Sequence, residues 1–234
     1  MFVVTDLTRF SSGNPDVCTA LIDMETGACV RPMPYFKFDA VKKHCVLPGA
    51  IFTGGFTPSA GRSAPHVEDC GYSDLKFHGP ATGVQFRDAL NKSLHSAVAT
   101  GFNAQLTFGQ KVLPLSSPPP RSIVTIKVSS TDIEIVPDLY NDRKIKIHFR
   151  DESGFQFRFM PITDLGFHDH ASAHRNAGDL NIINEHLQSS DEIFLRVGLS
   201  REHTSPDGRC GYWIQVNGIY TFPSKLNLVR GYSA

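Results

Sequence analysis

The sequence predicts a mainly β protein with short helices, its strands closed into two five-stranded barrels in tandem. Three observations carry that expectation. Apolar and polar residues alternate with period two in several short runs. Each half holds a stretch with helical spacing. A proline-rich segment stands between the halves. The chain has 234 residues, 41% hydrophobic and 20% charged, which is ordinary for a folded globular protein. That length suits one larger domain or two of about 110 to 120 residues.

In the first half, "MFVVTDL", "VCTALIDMETGACVRPM" and "GAIFTGGF" read as strands, the second being a hairpin about Glu25-Thr26-Gly27. "EDCGYSDLKF" is a further strand. "GVQFRDALNKSLHSAVATGF" then places Phe86, Leu90, Leu94 and Val98 four residues apart, the spacing of a helix. Pro114, Pro118, Pro119 and Pro120 follow in "PLSSPPPRS". They lack amide donors and restrict the residues before them, so regular structure must stop there.

The clearest segment is "KIKIHFRDESGFQFRFMPITD". Ile145, Ile147 and Phe149 alternate with Lys144, Lys146, His148 and Arg150, and Phe155, Phe157 and Phe159 alternate with Gln156 and Arg158. Alternation on both sides of a glycine-containing turn predicts a hairpin with one buried and one wet face. "SIVTIKV" with "IEIV", "EIFLRVGLS" and "GYWIQVNGIYTF" are the other strands. The last contains Asn217-Gly218, a signal for a tight type I′ turn. "GDLNIINEHLQSSDE" has Leu180, Ile183 and Leu187 at helical spacing. Read as strand, strand, strand, helix, strand, strand, this half follows the OB-fold plan. The first half repeats that order less cleanly. Two OB-like barrels are therefore expected, over residues 1–116 and 117–234.

Charge narrows the partners. Lys plus Arg equals Asp plus Glu at 23 each. Split near residue 117, the halves carry 10 against 9 and 13 against 14, so neither is a basic tail. Tight, sequence-blind binding to nucleic acid is driven mainly by counterion release, and this balance counts against it. A local basic face is still compatible with it. The five cysteines, Cys18, Cys29, Cys45, Cys70 and Cys210, include no C-x-x-C pair, which predicts free thiols and a reducing, cytoplasmic setting. "MFVVTDLTRF" lacks the pattern of a signal peptide, and no run approaches the roughly eighteen apolar residues of a membrane span.

Several short motifs are also familiar together. "VCTALIDMETGACVRPMP" with Arg31-Pro32, "PHVEDC", "FRFMPITDLGF" with Thr163-Asp164, and "VGLSREH" followed by "CGYWIQVNGIY" resemble the dual OB-containing domain of uncharacterised prokaryotic proteins. Cys70 departs from that pattern, standing where an aromatic residue is expected, and the first strand is short of basic residues. The resemblance spans nearly the whole chain. It implies two OB-like barrels and a role linked to nucleic acid, in phage defence, with no known reaction.

Two stretches are candidate nucleic-acid contacts. Lys144, Lys146, His148, Arg150 and Arg158 share the hairpin's wet face, where cations can track a phosphate backbone. The phenylalanines alternate to the opposite face, so no stacking platform is expected beside them. The second stretch is "VRPMPYFKF", with Arg31, Tyr35, Phe36 and Lys37. Two prolines make it a loop or an edge, and aromatics beside cations there serve stacking and phosphate contact.

Histidine and carboxylates recur in "PHVEDC" (His66, Glu68, Asp69) and "FHDHASAHRN" (His168, Asp169, His170, His174). The first is expected to cap the start of a strand or to bond Arg62. The second reads as a polar connecting loop, since its Gly, Ala and Ser residues are loop composition. Preformed metal sites need secondary structure that fixes the ligands' direction. No catalytic residue, metal or cofactor is therefore assigned. The expected function is a non-catalytic nucleic-acid-binding module for single-stranded or modified nucleic acid, with no membrane partner. The alternatives are a protein-interaction scaffold within a larger complex, which net neutrality favours, and a metal-dependent hydrolase.

Overall fold

A computed structural model describes residues 1–9, 14–141 and 144–223; the last residues of the expected second barrel, 224–234, lie outside the described residues. Strands β1 (Phe2–Arg9), β2 (Asp16–Asp23), β3 (Cys29–Pro32) and β4 (Phe36–Lys37) open the chain. Helix α1 (Phe38–Lys43), β5 (Ala50–Pro58) and β6 (Asp69–Pro80) follow. Strand order β1-β5-β6-β3-β2 closes through a β1–β2 pairing, giving the expected five-stranded barrel, with β4 as a short edge beside β2. Its interior holds Val4, Leu7, Val17, Leu21 and Phe52. Burying alternate side chains of each strand is what closes the sheet on itself.

Helix α2 (Gly83–Lys92) starts at a capping box, in which Thr82 Oγ1 accepts from Gln85 N–H while Gln85 Oε1 accepts from Thr82 N–H. The expected longer helix is interrupted. Ser93 Oγ pairs with Thr125 Oγ1, and His95 N–H donates to Thr125 C=O. Residues 93–95 thus run beside a strand, and the helical turn resumes as α3 (Val98–Phe102).

The second half departs from the expected closed barrel. It takes β7 (Val112–Leu113) from the end of the first half and contains β8 (Ile123–Val128), β9 (Ile133–Pro137), β10 (Ile145–Arg150) and β11 (Gln156–Pro161). Helices α4 (Leu165–Ala177) and α5 (Asn181–Gln188) precede β12 (Glu192–Thr204) and β13 (Cys210–Phe222). Among the described residues, sheets β11-β10-β9 and β7-β13-β12-β8 are joined in backbone pairing by a parallel bridge between Ile162 and Val216, and this half is a half-barrel. The free side of β9 is occupied by a helix. Asn184 of α5 accepts from Ile135 N–H at 2.8 Å and donates to Ile135 C=O at 3.0 Å. A side-chain amide takes the place of a neighbouring strand, satisfying the edge without closing the sheet.

Asn217-Gly218 forms no turn. Strand β13 runs through it, and Asn217 is the extra residue of a bulge, since Arg196 pairs with Gly218 and Val197 with Val216. Its Oδ1 accepts from Thr163 Oγ1 at 2.9 Å. Gly198 leaves the space for it, because a Cβ there would stand 2.1 Å from Asn217 Nδ2. The β12–β13 turn lies instead at Ser205, whose N–H bonds Arg209 C=O.

The two halves share cores and a charged seam. Val98, Phe102 and Leu113 pack with Ile126, Ile147 and Phe157, whereas Phe194, Tyr220 and Phe222 pack with Val3, Phe86 and Leu90. At the seam, Arg196 is 1% exposed and donates from Nε to Asp6 Oδ2 at 2.8 Å and from Nη1 to Thr125 Oγ1 at 2.7 Å. Glu68 accepts from Ser122 N–H and Oγ–H, so it caps the start of β8, as expected of this motif. Among the described residues no helix is long and apolar enough to cross a membrane.

Arg196→Met leaves the Asp6 carboxylate buried without its counter-charge and should destabilise the protein by about 3 to 5 kcal/mol in urea unfolding. Adding Asp6→Leu should recover part of that stability; a neutral single variant would show that the pair does not hold the seam. Ile147 and Phe157 are at most 1% exposed. Replacing either with Ala should cost about 2 to 5 kcal/mol. Lys146→Ala with Arg158→Ala should cost under about 1 kcal/mol in the same assay.

Candidate nucleic-acid interface

The β10–β11 hairpin alternates as expected up to one position. Ile145, Ile147 and Phe149 are buried, while Lys146 and His148 are half-buried on the outer face and Arg150 is exposed. In β11, Phe149 pairs with Phe157 but Ile147 pairs with Met160, so Arg158 and Phe159 together oppose His148. This is a bulge, and Phe159 has φ +53°, a left-handed backbone that only the surrounding ladder imposes on a bulky residue. Met160 takes the core place expected for Phe159, and the Phe159 ring turns to the cationic face, edge-on to His148 at 4.4 Å. The hairpin therefore has the aromatic platform that simple alternation denies it.

Further groups come from the neighbouring sheet. Lys111, just before β7, donates to Phe159 C=O at 3.2 Å, and its ammonium lies 5.9 Å from that ring. On β13, Trp213 carries the Arg209 guanidinium 5.0 Å above its ring, and its indole N–H is fixed by His203 C=O. Burial, then the nearby charges of Lys146 and Arg209, hold the Lys111 pKa below the usual lysine value. The neighbouring cations add positive potential at Lys111, which an anion relieves.

The cations are not equally available. Lys146 pairs with Asp138 at 3.3 Å and Arg150 with Asp132 at 3.6 Å, while His148 lies 3.9 Å from Glu134, so the acids flanking and within β9 offset much of β10. Arg209 is held by Asp207. Lys111, Lys144 and Arg158 have no acidic partner among the described residues. The free positive charge thus lies to either side of Phe159 rather than evenly along β10. Sequence reasoning missed Lys111, Phe159, Arg209 and Trp213, because neither a bulge nor a two-residue strand leaves a periodic signal.

The Arg31–Phe38 stretch is arranged differently from expectation. Arg31 is 4% exposed in β3, its Nε 2.6 Å from Asp69 Oδ1 and its Nη1 3.2 Å from Ser122 Oγ, so it is structural and withdrawn from any phosphate. Tyr35 OH accepts from Arg201, and Phe36 packs edge-on against Tyr72 at 5.0 Å. Lys37 is exposed but paired with Asp16. This stretch is an edge that ties β12 to the barrel.

The histidine-rich segment is no loop. It forms α4, whose N-terminus is capped by Asp164 Oδ1 accepting from Phe167 N–H and whose end is Gly178 in the left-handed conformation. Phe167 and Ala171 anchor it in the core. His170 and His174 share a face, with ring centres 4.7 Å apart, and His174 Nδ1 is paired with Asp179. Among the described residues, no three His, Cys, Asp or Glu side chains converge on a common point.

In "PHVEDC", Asp69 bonds Arg31 and Arg201 rather than Arg62. His66 is 8% exposed and lies edge-on to Tyr212. Burial, then the adjacent charges of Arg31 and Arg201, push its pKa down to about 3. A neutral imidazole in a charged seam is a packing element.

No family model matches the chain, and neither a curated protein nor a solved structure matches it.

The His66 shift sets a pH dependence. The unfolded imidazole takes its proton near pH 6.5 and the folded one near 3, so between these values the unfolded state holds more protons and stability falls as pH falls. The contribution is at most about 1.4 kcal/mol per pH unit. Urea midpoints at pH 7 and pH 4.5 should therefore differ more for the wild type than for His66→Phe. Equal differences would remove His66 as a source of acid sensitivity.

Proposed function

We propose that this protein is a non-catalytic binding module that takes single-stranded nucleic acid on the outer face of its half-barrel. The observation that carries the reading is Phe159, turned outward by the β11 bulge and set among Lys111, His148 and Arg158. A base stacks on the ring while the flanking cations meet the phosphates on either side. Base stacking on an aromatic side chain contributes about 1 to 3 kcal/mol and tolerates any sequence. Trp213, with Arg209 over it, offers a second ring on the adjacent sheet. The resemblance to the dual OB-containing domain supports the same direction, a nucleic-acid-linked role in prokaryotic defence inside the cell. One observation favours a second reading as a scaffold subunit. Leu139 and Tyr140, 68% and 97% exposed beside the hairpin, are apolar surface a protein partner would cover.

Fluorescence anisotropy with a labelled oligonucleotide at several salt concentrations tests the face. Lys111→Ala with Arg158→Ala should weaken binding and flatten the salt dependence by about one to two units of slope, one for each phosphate that is no longer neutralised. Phe159→Ala should weaken binding by about 1 to 3 kcal/mol and leave the slope unchanged. Burial holds the His148 pKa below its usual value, and a bound polyanion raises it again. Affinity should therefore rise as pH falls from 7 to 5.5, less so in His148→Gln. Wild-type affinity and slope in the double variant would reject this interface. Recovery of a fixed protein partner that survives nuclease treatment and no longer binds Tyr140→Asp would establish the scaffold reading instead.

A further inference from the structure

A cavity of about 380 Å³ lies between the barrel and the half-barrel, and none of the residues of the Phe159 face lines it. Its walls come from the β2–β3 turn, the end of α2, residues 93–95 and the start of β8. Lys92 and Arg121 bring charge to it. Lys92 donates to Met24 C=O at 2.6 Å and Arg121 to His95 Nε2 at 2.9 Å, and neither has an acidic partner among the described residues. The remaining N–H groups of both can serve a ligand.

The floor is neutralised from within. Arg196 is matched by Asp6, and its Nη2 donates to Cys29 Sγ at 3.3 Å. Burial pushes the Cys29 thiol up to about 12, so the sulfur stays protonated and is no nucleophile at neutral pH. Glu68, the one acid in the lining, has both oxygens occupied by Ser122 and the Ile123 N–H. With Asp6 counted behind Arg196, the three cations Lys92, Arg121 and Arg196 are set against two carboxylates, a surplus of one positive charge. Leu94, Pro120 and Ile123 add an apolar wall. The cavity is also preformed. Gly27 has φ +77°, and a Cβ there would stand 2.5 Å from Lys92 C=O, so the turn sits directly on the end of α2.

The geometry points to a site for a small organic phosphate of mononucleotide size, with its phosphate on Lys92 and Arg121 and its ring against Leu94, Pro120 and Ile123. Ligand cavities begin near ~300 Å³ and combine apolar walls with a few placed polar groups, as this one does. The thiol and carboxylate being engaged, the site binds without reacting. It is independent of the oligonucleotide face.

Isothermal titration calorimetry with AMP, adenosine and inorganic phosphate tests it on the full chain. AMP should bind at least about tenfold more tightly than either of the others, since it alone uses both the cations and the apolar wall. Arg121→Ala should weaken AMP about tenfold, and Arg121→Lys should retain most of the affinity. Lys111→Ala with Arg158→Ala should leave AMP binding unchanged, which separates this site from the hairpin face. Absence of AMP binding at about 1 mM overturns the site. So does adenosine or inorganic phosphate binding as tightly as AMP, or an Arg121→Ala protein that is folded by circular dichroism and binds AMP like the wild type.

Discussion

The Arg196 guanidinium, 1% exposed, is costly to bury unless its charge is matched and its donors are satisfied. Asp6, Thr125 and Cys29 do this from three different strands, and in doing so they fix β1, β3 and β8 around β12. The register shifts beside both residues of the Arg196–Asp6 pair: Thr5 is an extra residue in β1 against β2, and Asn217 is an extra residue in β13 opposite Arg196 and Val197 of β12. The bulges bend the strands locally and bring the two sheets together, with Tyr220 OH donating to Thr5 C=O across the join. The barrel and half-barrel are consequently one packed unit with residues exchanged between their cores.

The cations of this seam are held by carboxylates: Arg31 and Arg201 by Asp69, Arg196 by Asp6. Such pairs fix the relative orientation of the strands that carry them, with Arg31 and Arg196 buried and Arg201 exposed. Cations without an acidic partner among the described residues include Lys111 and Arg158 on the outer face around Phe159 and Lys92 and Arg121 at the mouth of the cavity between the halves. A neutral chain can in this way carry local positive potential, because recognition follows the distribution of charge rather than its sum.

The half-barrel is left open by the same economy of edges. Asn184 satisfies Ile135, so β9 needs no further strand, and the β9 acids offset the β10 cations on the outer surface. Opening the sheet leaves β11 held on one side by β10, where the bulge at Phe159 is tolerated.

Features with a local period or a local turn were legible in the chain alone. The β10–β11 and β2–β3 hairpins, helix α5 and the break at Pro114–Pro120 rest on neighbours a few residues apart. Helix α4 also had local marks, since Asp164 and Gly178 bracket it, but its histidines and small residues carry the composition of a loop and outweigh them. Other features were set by long-range packing. Arg31 reads as an exposed cation until Asp69 and Ser122, the latter 91 residues away, enclose it. Asn217-Gly218 reads as a turn until Thr163 and Gly198 hold it inside a strand. Phe159 reads as core until pairing with β10 shifts by one residue. In each case the residue's own preference is worth a fraction of a kcal/mol to about one, whereas the distant partner adds buried hydrogen bonds or core volume worth more.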